Sequence, residues 1–134
     1  MGFMFEKLQA YQKVVGLADQ VLIATSEFPR GSYFLSDQLN RASVSIATNL
    51  AEGNGRFTIP DRKNFFMIAR GSVQECVALM EIAFCRKLLT SDTHVQLRSD
   101  LEEISKMSRP DIGCHFWQRK YQEFWYASTC CEVV

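Results

Sequence analysis

The sequence has few of the features that mark several large protein classes. Its 134 residues include seven glycines and three prolines, too few for a loop-rich or disordered chain. No apolar run approaches the ~20 residues that a membrane-spanning helix requires, and Met1 to Lys7 lacks the layout of a signal peptide. We therefore expect a single globular domain, located in the cytoplasm and without membrane contact.

The sequence also lacks net charge, because 15 basic side chains balance 15 acidic ones. This balance disfavours a strongly basic nucleic-acid binder, whose affinity comes from neutralising phosphates. The distribution is nevertheless uneven. Residues 36–89 are mildly basic and residues 90–108 are acidic overall. Any basic surface should therefore lie on the middle part of the chain, where an oligomer would repeat it.

Metal-binding patterns are scarce as well. The only histidines are His94 and His115, and neither follows a Glu at the Glu-x-x-His spacing of di-iron bundles. The five cysteines include no Cys-x-x-Cys pair, and their odd number favours reduced thiols. A zinc site from Cys114, His115, Cys130 and Cys131 is conceivable but fits no common spacing. We predict no metal and no cofactor.

Apolar residues recur with a helical period in four segments. The segments cover about residues 5–27, 36–53, 59–89 and 92–107. Short loops between long helices favour antiparallel neighbours. The sequence therefore predicts an all-α fold, an antiparallel up-down four-helix bundle formed by residues 1–108. Residues 109–134 are predicted to form an aromatic-rich C-terminal extension, not a separate domain, that packs on the bundle or on a neighbouring subunit.

Local signals predict where the middle helices begin and end. Ser36 is a good N-cap for the second helix, and Gly53 is suited to end it as a left-handed cap. Thr58 and Asp61 have the spacing of a capping box at the start of the third helix. Pro60 is tolerated in that first turn.

Several residues of the second and third helices are unusual for helices that only fill a core. Asn49 falls on the apolar stripe, and Glu52 sits at a helix C-terminus, where the dipole disfavours an anion. Gly71 lies mid-helix, at a cost of about 1 kcal/mol relative to Ala. We expect a close-packed polar junction in which Asn49, Glu52 and Arg70 are buried and hydrogen-bonded. A strip of small residues on the second helix would let another helix approach: Ser43, Ala47 and Ala51.

The order of these uncommon residues resembles one known family, the 23S rRNA-intervening sequence proteins, also called four-helix bundle proteins. The residues that carry the resemblance are Phe5-Glu6-Lys7-Leu8, Tyr11-Gln12-Lys13, Arg41-Ala42, Ser45-Ile46, Asn49-Leu50-Ala51-Glu52-Gly53, Arg56, Ala69-Arg70-Gly71-Ser72 and Glu75. Their structural motif comprises Asn49, Glu52, Gly53, Gly71, Ser72 and Glu75. The chain departs from the family pattern at Ala47, where a Pro is usual, and after Met107.

The resemblance implies a ring-like homo-oligomer, a pentamer, with a non-enzymatic role beside nucleic acid. Related proteins serve as accessory factors of diversity-generating retroelements. The implied partners are therefore RNA or DNA and a reverse transcriptase or ribosomal component. Candidates for phosphate contact are the basic residues of the middle helices: Arg41, Arg56, Arg62, Lys63, Arg70, Arg86 and Lys87.

Two other functions are weighed against this one. Glu52 and Glu75 resemble paired catalytic carboxylates, but acid–base chemistry requires a pocket and a perturbed pKa. A structural network in which Glu52 meets Arg56 or Arg70 explains them better, and we predict no enzymatic activity. The second alternative is a protein-interaction module whose bundle surface docks a partner. In that case the basic residues form an ordinary solvated face.

Overall fold

Four long helices make up the described part of the chain, residues 9–108 of the computed structural model. They are α1 (Gln9–Ser26), α2 (Tyr33–Gly55), α3 (Ile59–Cys85) and α4 (Ser91–Met107), with a 3-10 turn at Arg30–Ser32. No strand occurs in residues 9–108. The all-α prediction is confirmed. The predicted C-terminal extension, residues 109–134, lies outside the described residues.

Each helix packs against two neighbours, which closes the bundle. α2 lies between α1 and α3, and α4 completes the ring against α1 and α3. The short connections make successive helices antiparallel. We call the end with the α2–α3 turn the lower end, and the end with the starts of α2 and α4 the upper end. The up-down four-helix bundle predicted from the sequence is confirmed.

One apolar core runs between the four helices. Its side chains recur three and four positions apart, as the helical period requires. Ile46, Phe66 and Ile104 are at most 1% exposed, and full burial of such a side chain stabilises the fold by about 1.5–3 kcal/mol. The helical period of the third segment predicts that Ile68 is buried in one row with Phe65, Ala69 and Ser72, and this prediction is wrong at Ile68. That side chain is 45% exposed, so α3 has an outward apolar face as well as a buried one.

Helix ends follow the predictions only in part. Thr58 caps α3, and its Oγ1 accepts a hydrogen bond from the Asp61 amide at 3.3 Å. The prediction of Ser36 as N-cap is wrong, because α2 already begins at Tyr33. The left-handed cap at Gly53 is also wrong. No glycine among the described residues has positive φ, and α2 continues to Gly55.

The third helix ends four residues before its predicted end. Beyond Cys85 the chain forms a Schellman motif, in which Leu88 N–H donates to Ala83 O and Lys87 N–H to Phe84 O, both at 2.9 Å. Lys87 takes the left-handed position, with φ of 60°. Sequence reasoning missed this end because a lysine stands where glycine is usual.

Gly53 is small because α2 and α3 touch there. A Cβ at this position would lie 2.9 Å from Phe66 Cε1 and 3.1 Å from Phe65 Cβ. Real Cβ atoms essentially never approach other heavy atoms so closely, and the Phe66 ring is fixed in the core. The glycine therefore sets the distance between the two helices.

We expect Gly53→Ala to destabilise the protein by about 1–3 kcal/mol, the usual cost of overpacking a well-packed contact. The control is Gly16→Ala in α1, where an added Cβ meets nothing within 4 Å. This control should gain up to about 1 kcal/mol from helix propensity. Urea unfolding of both variants measures the difference. Equal stabilities would contradict the close contact.

A polar cluster links the end of α3 to the start of α4. His94 Nε2 lies 3.0 Å from Glu81 Oε1, and Arg98 binds the same carboxylate. The His94 ring also stacks on Phe84, with centroids 4.0 Å apart. The hydrogen bond with His94 lowers the pKa of Glu81 below its usual range. Desolvation opposes this shift with a smaller effect, and Arg98 lowers the pKa further.

We expect Glu81→Gln to lower the free energy of unfolding at neutral pH. A carboxyl whose pKa is lower in the folded state stabilises the fold above its unfolded pKa, about 4.3 for glutamate. That contribution is lost as the pH falls through the lowered folded-state value. The stability difference between wild type and variant should thus shrink below about pH 4.3, measured by urea unfolding across pH. The control is Glu102→Gln, which removes an exposed carboxylate bound to the same Arg98. A pH-independent difference for Glu81→Gln would refute this assignment.

Candidate nucleic-acid interface

A polar contact joins α2 and α3 at mid-height, and of the three residues predicted for it only Asn49 takes part. The hydroxyls of Ser45 and Ser72 lie 2.8 Å apart. Asn49 Nδ2 donates to Ser45 O at 2.8 Å and to Ser45 Oγ at 3.0 Å. Asn49 is half-buried and Ser72 is buried. These three side chains satisfy one another, so the junction needs no charged group.

The charged half of the predicted junction is wrong. Glu52, Arg70 and Glu75 are all exposed. Glu52 faces Arg56 one turn along α2, at 3.9 Å, so the pair lies in solvent, where the helix dipole costs little. Gly71 is also exposed, and a Cβ there would meet nothing within 4 Å. These three charged side chains thus belong to the exposed surfaces of α2 and α3.

The strip of small residues on α2 serves the bundle itself. Ser43 is fully buried, Ala47 packs against the core, and Ala51 is half-buried. The close helix approach that this strip was predicted to allow is made within the bundle. α2 is one continuous helix through Ala47, as expected where the family's usual Pro is missing.

The seven basic candidates do not form one site. Arg56, Arg62 and Lys63 lie together at the lower end. Arg70 lies two turns farther along α3, and Arg41 lies midway along α2. Arg86 and Lys87 follow α3 at the upper end. The 23 residues of α2 separate the two ends by about 34 Å.

The candidates also differ in their partners. Arg41 Nε lies 3.2 Å from Asp37 Oδ2. The Arg56 guanidinium lies over the Phe65 ring, 4.6 Å from its centroid, and Arg62 Nε donates to Arg56 O at 2.7 Å. Four of the seven candidates have no carboxylate of residues 9–108 within 4.0 Å: Lys63, Arg70, Arg86 and Lys87.

Sequence reasoning missed an aromatic residue in the α2–α3 turn. Phe57 is 100% exposed and stands between Arg56 and the capped start of α3. The signal was an aromatic next to an arginine in a turn that otherwise holds Gly and Thr. Exposed rings beside cations are typical of surfaces that stack nucleobases. We call Arg56, Phe57, Arg62 and Lys63 the lower basic turn.

Other kinds of site find little support in the described residues. Between residues 9 and 108 no three His, Cys, Asp or Glu side chains are grouped to hold a metal ion. Burial raises the pKa of the Cys76 thiol to about 12, so this thiol stays protonated and is a poor nucleophile. No described helix is both long and apolar enough to cross a membrane.

Comparisons with known proteins agree with this architecture. A crystal structure of a protein of unknown function from the S23 ribosomal protein family of Bacteroides thetaiotaomicron matches with a TM-score of 0.72 and 20% sequence identity. The match covers 77% of this chain and 97% of that one. A comparison with curated proteins found no match. The family model described as 23S rRNA-intervening sequence protein matches residues 6–109. The chain therefore belongs to the 23S rRNA-intervening sequence protein family.

Proposed function

We propose that this protein is a non-enzymatic, nucleic-acid-associated accessory or scaffold protein that acts as a homo-oligomer. The observation that carries the proposal is the lower basic turn, where Phe57 is 100% exposed beside Arg56, Arg62 and Lys63. The name of the family, which refers to intervening sequences of 23S rRNA, supports RNA as a ligand. With a ribosomal component or a reverse transcriptase as partner, the protein would act in the cytoplasm.

The lower basic turn offers two kinds of contact. Lys63 supplies an exposed cation for phosphate. Phe57 supplies an apolar ring for a base. Because the chain has no net charge, one copy would bind weakly. Several copies that present the same turn would raise the apparent affinity through multivalency.

Self-association is supported by an outward apolar stripe on α3. Met67, Ile68 and Ile82 are 61%, 45% and 48% exposed. Gly71 and Ala78, both exposed, lie between them on the same helix face and would let a second copy approach closely. Glu75, also exposed, lies on this face between Gly71 and Ala78, so the stripe is apolar toward its two ends and carries one carboxylate in the middle. Exposed apolar side chains grouped in this way favour an interaction surface. A pentamer remains the proposed size, on the family resemblance.

We expect light scattering of the wild type to give a multiple of the 15.4 kDa chain mass. Ile82→Arg should shift the protein toward a monomer, because it places a charge in the stripe. The matched control is Val95→Arg on α4, since Val95 is 65% exposed and lies off the stripe. Both positions are solvent-accessible in one chain, so both variants should fold. A monomeric wild type at micromolar concentration would overturn the proposal of an oligomer.

The alternative is a protein-interaction module without a nucleic-acid role. The same α3 stripe supports it, because an apolar face suits a protein partner as well as a second copy. The two functions differ in the part played by the cations. Only phosphate binding requires Lys63 and Arg70, which have no carboxylate within 4.0 Å among residues 9–108.

We expect binding of structured RNA to weaken linearly in log salt, with a slope of about −0.7 to −0.9 per phosphate contact. The double variant Lys63→Gln/Arg70→Gln should reduce the slope by about 1.4–1.8 per chain. The control is Lys13→Gln, whose amine binds Glu103 and lies 3.8 Å from Asp100 on the α1–α4 side. That variant should keep the wild-type slope.

Filter binding across salt concentrations measures these slopes. If the intact protein retains neither RNA nor DNA at low salt, the nucleic-acid role is wrong and the protein-interaction module becomes the better function. If binding occurs but the double variant keeps the wild-type slope, the contacts lie elsewhere on the molecule.

A further inference from the structure

The upper end of the bundle carries a second set of exposed rings beside cations. Tyr33 and Phe34, in the first turn of α2, are 74% and 68% exposed. Arg30 lies in the 3-10 turn just before them, and Arg86 and Lys87 follow α3 at the same end. We call these five residues the upper aromatic patch.

The two rings are not needed by the core. The next residue, Leu35, is 1% exposed and fills the core at this level. Large exposed apolar groups next to each other mark a binding surface more often than a lone one does. Tyr33 adds a hydroxyl at its exposed end, which suits a ring that packs on a ligand and stays partly wet.

The charges of the neighbouring side chains indicate which kind of ligand would bind at the rings. Within residues 9–108, none of the three cations has a carboxylate within 4.0 Å: Arg30, Arg86 and Lys87. Among the acidic groups of this end, Glu27 and Asp92 line a groove between α1 and α4. Asp37, one turn along α2 from Tyr33, is paired with Arg41 at 3.2 Å. The three cations therefore favour an anion at this end of the bundle, away from the α1–α4 groove.

We propose that the upper aromatic patch binds single-stranded nucleic acid, with bases stacked on Tyr33 and Phe34 and phosphates on the three cations. The proposal rests on the nucleic-acid role proposed above and specifies its ligand. Base faces are open in a single strand, whereas a duplex keeps them stacked inside. The patch lies about 34 Å from the lower basic turn, a span of about ten stacked nucleotides. One strand of that length reaches both.

The test is the double variant Tyr33→Ala/Phe34→Ala in the full chain. The probes are a labelled, unstructured pyrimidine strand of about twelve nucleotides and a duplex of equal length, so that each spans both patches. We expect at least about 30-fold weaker binding of the single strand, because two stacked bases are lost and each contributes about fivefold or more. Binding of the duplex should be unchanged. Fluorescence anisotropy at fixed salt measures both affinities. Val95→Ala, another exposed apolar truncation, is the control and should bind like the wild type.

Each other outcome is decisive. If the double variant binds the single strand as the wild type does, the upper aromatic patch is not the site, although the nucleic-acid role stands. If single strand and duplex weaken by the same factor, the patch does not discriminate by stacking and the proposal is overturned. If the wild type binds neither probe, the nucleic-acid role fails and the rings belong to a protein interface. Matching melting temperatures of variant and wild type exclude unfolding as the cause.

Discussion

The approach of α2 to α3 at Gly53 and Phe66 is the constraint on which the rest of the molecule depends. With no side chain at position 53, the lower part of α2 lies directly on the aromatic side chains of α3. This contact fixes the register of α2 against α3. About two helical turns higher, the same register brings Ser45 next to Ser72. It also sets the position of the short turn that follows α2. The lower basic turn is therefore held by the best-packed part of the bundle.

The distribution of ion pairs explains how a chain without net charge can present cations. On the α1–α4 and α3–α4 sides, basic side chains meet acids: Lys13 binds Glu103, and Arg98 binds Glu81. The opposite charges of each pair cancel locally. At the ends of the α2–α3 side, Lys63, Arg86 and Lys87 have no such partner within residues 9–108. A net charge of zero therefore describes the sum over the whole chain and not the local surface potential.

The fold was predictable because it depends on a repeated signal. Apolar residues such as Ile46 and Leu101 recur at the helical period, and many such positions agree. The site depends on single residues, and each of these side chains could be buried or exposed and could take different partners. Glu52 is an example, since a carboxylate near a helix end can be buried in a network or left in solvent beside Arg56. Sequence spacing allows both arrangements, and only the packing of α2 decides between them.

Helix ends and exposed rings were hard to predict for a related reason. Phe57 and Phe34 are residue types that usually fill a core. Only the orientation of their side chains in the structure shows that they face water. The end of α3 depends on backbone hydrogen bonds of Leu88 and Lys87 to the last turn. No residue type typical of a helix end marks this position in the sequence. The prediction for residues 109–134 concerns a part of the chain outside the described residues, so it stays a prediction.

The end of α3 has a consequence for binding entropy. Lys87 holds a φ of 60°, which costs an ordinary side chain about 1 kcal/mol or more, and two hydrogen bonds of the Schellman motif maintain it. The folding of the bundle has thus already ordered this stretch of backbone. A ligand that meets Arg86 and Lys87 restricts only their side chains. The cations are preorganised, and less of the interaction free energy is lost in ordering them.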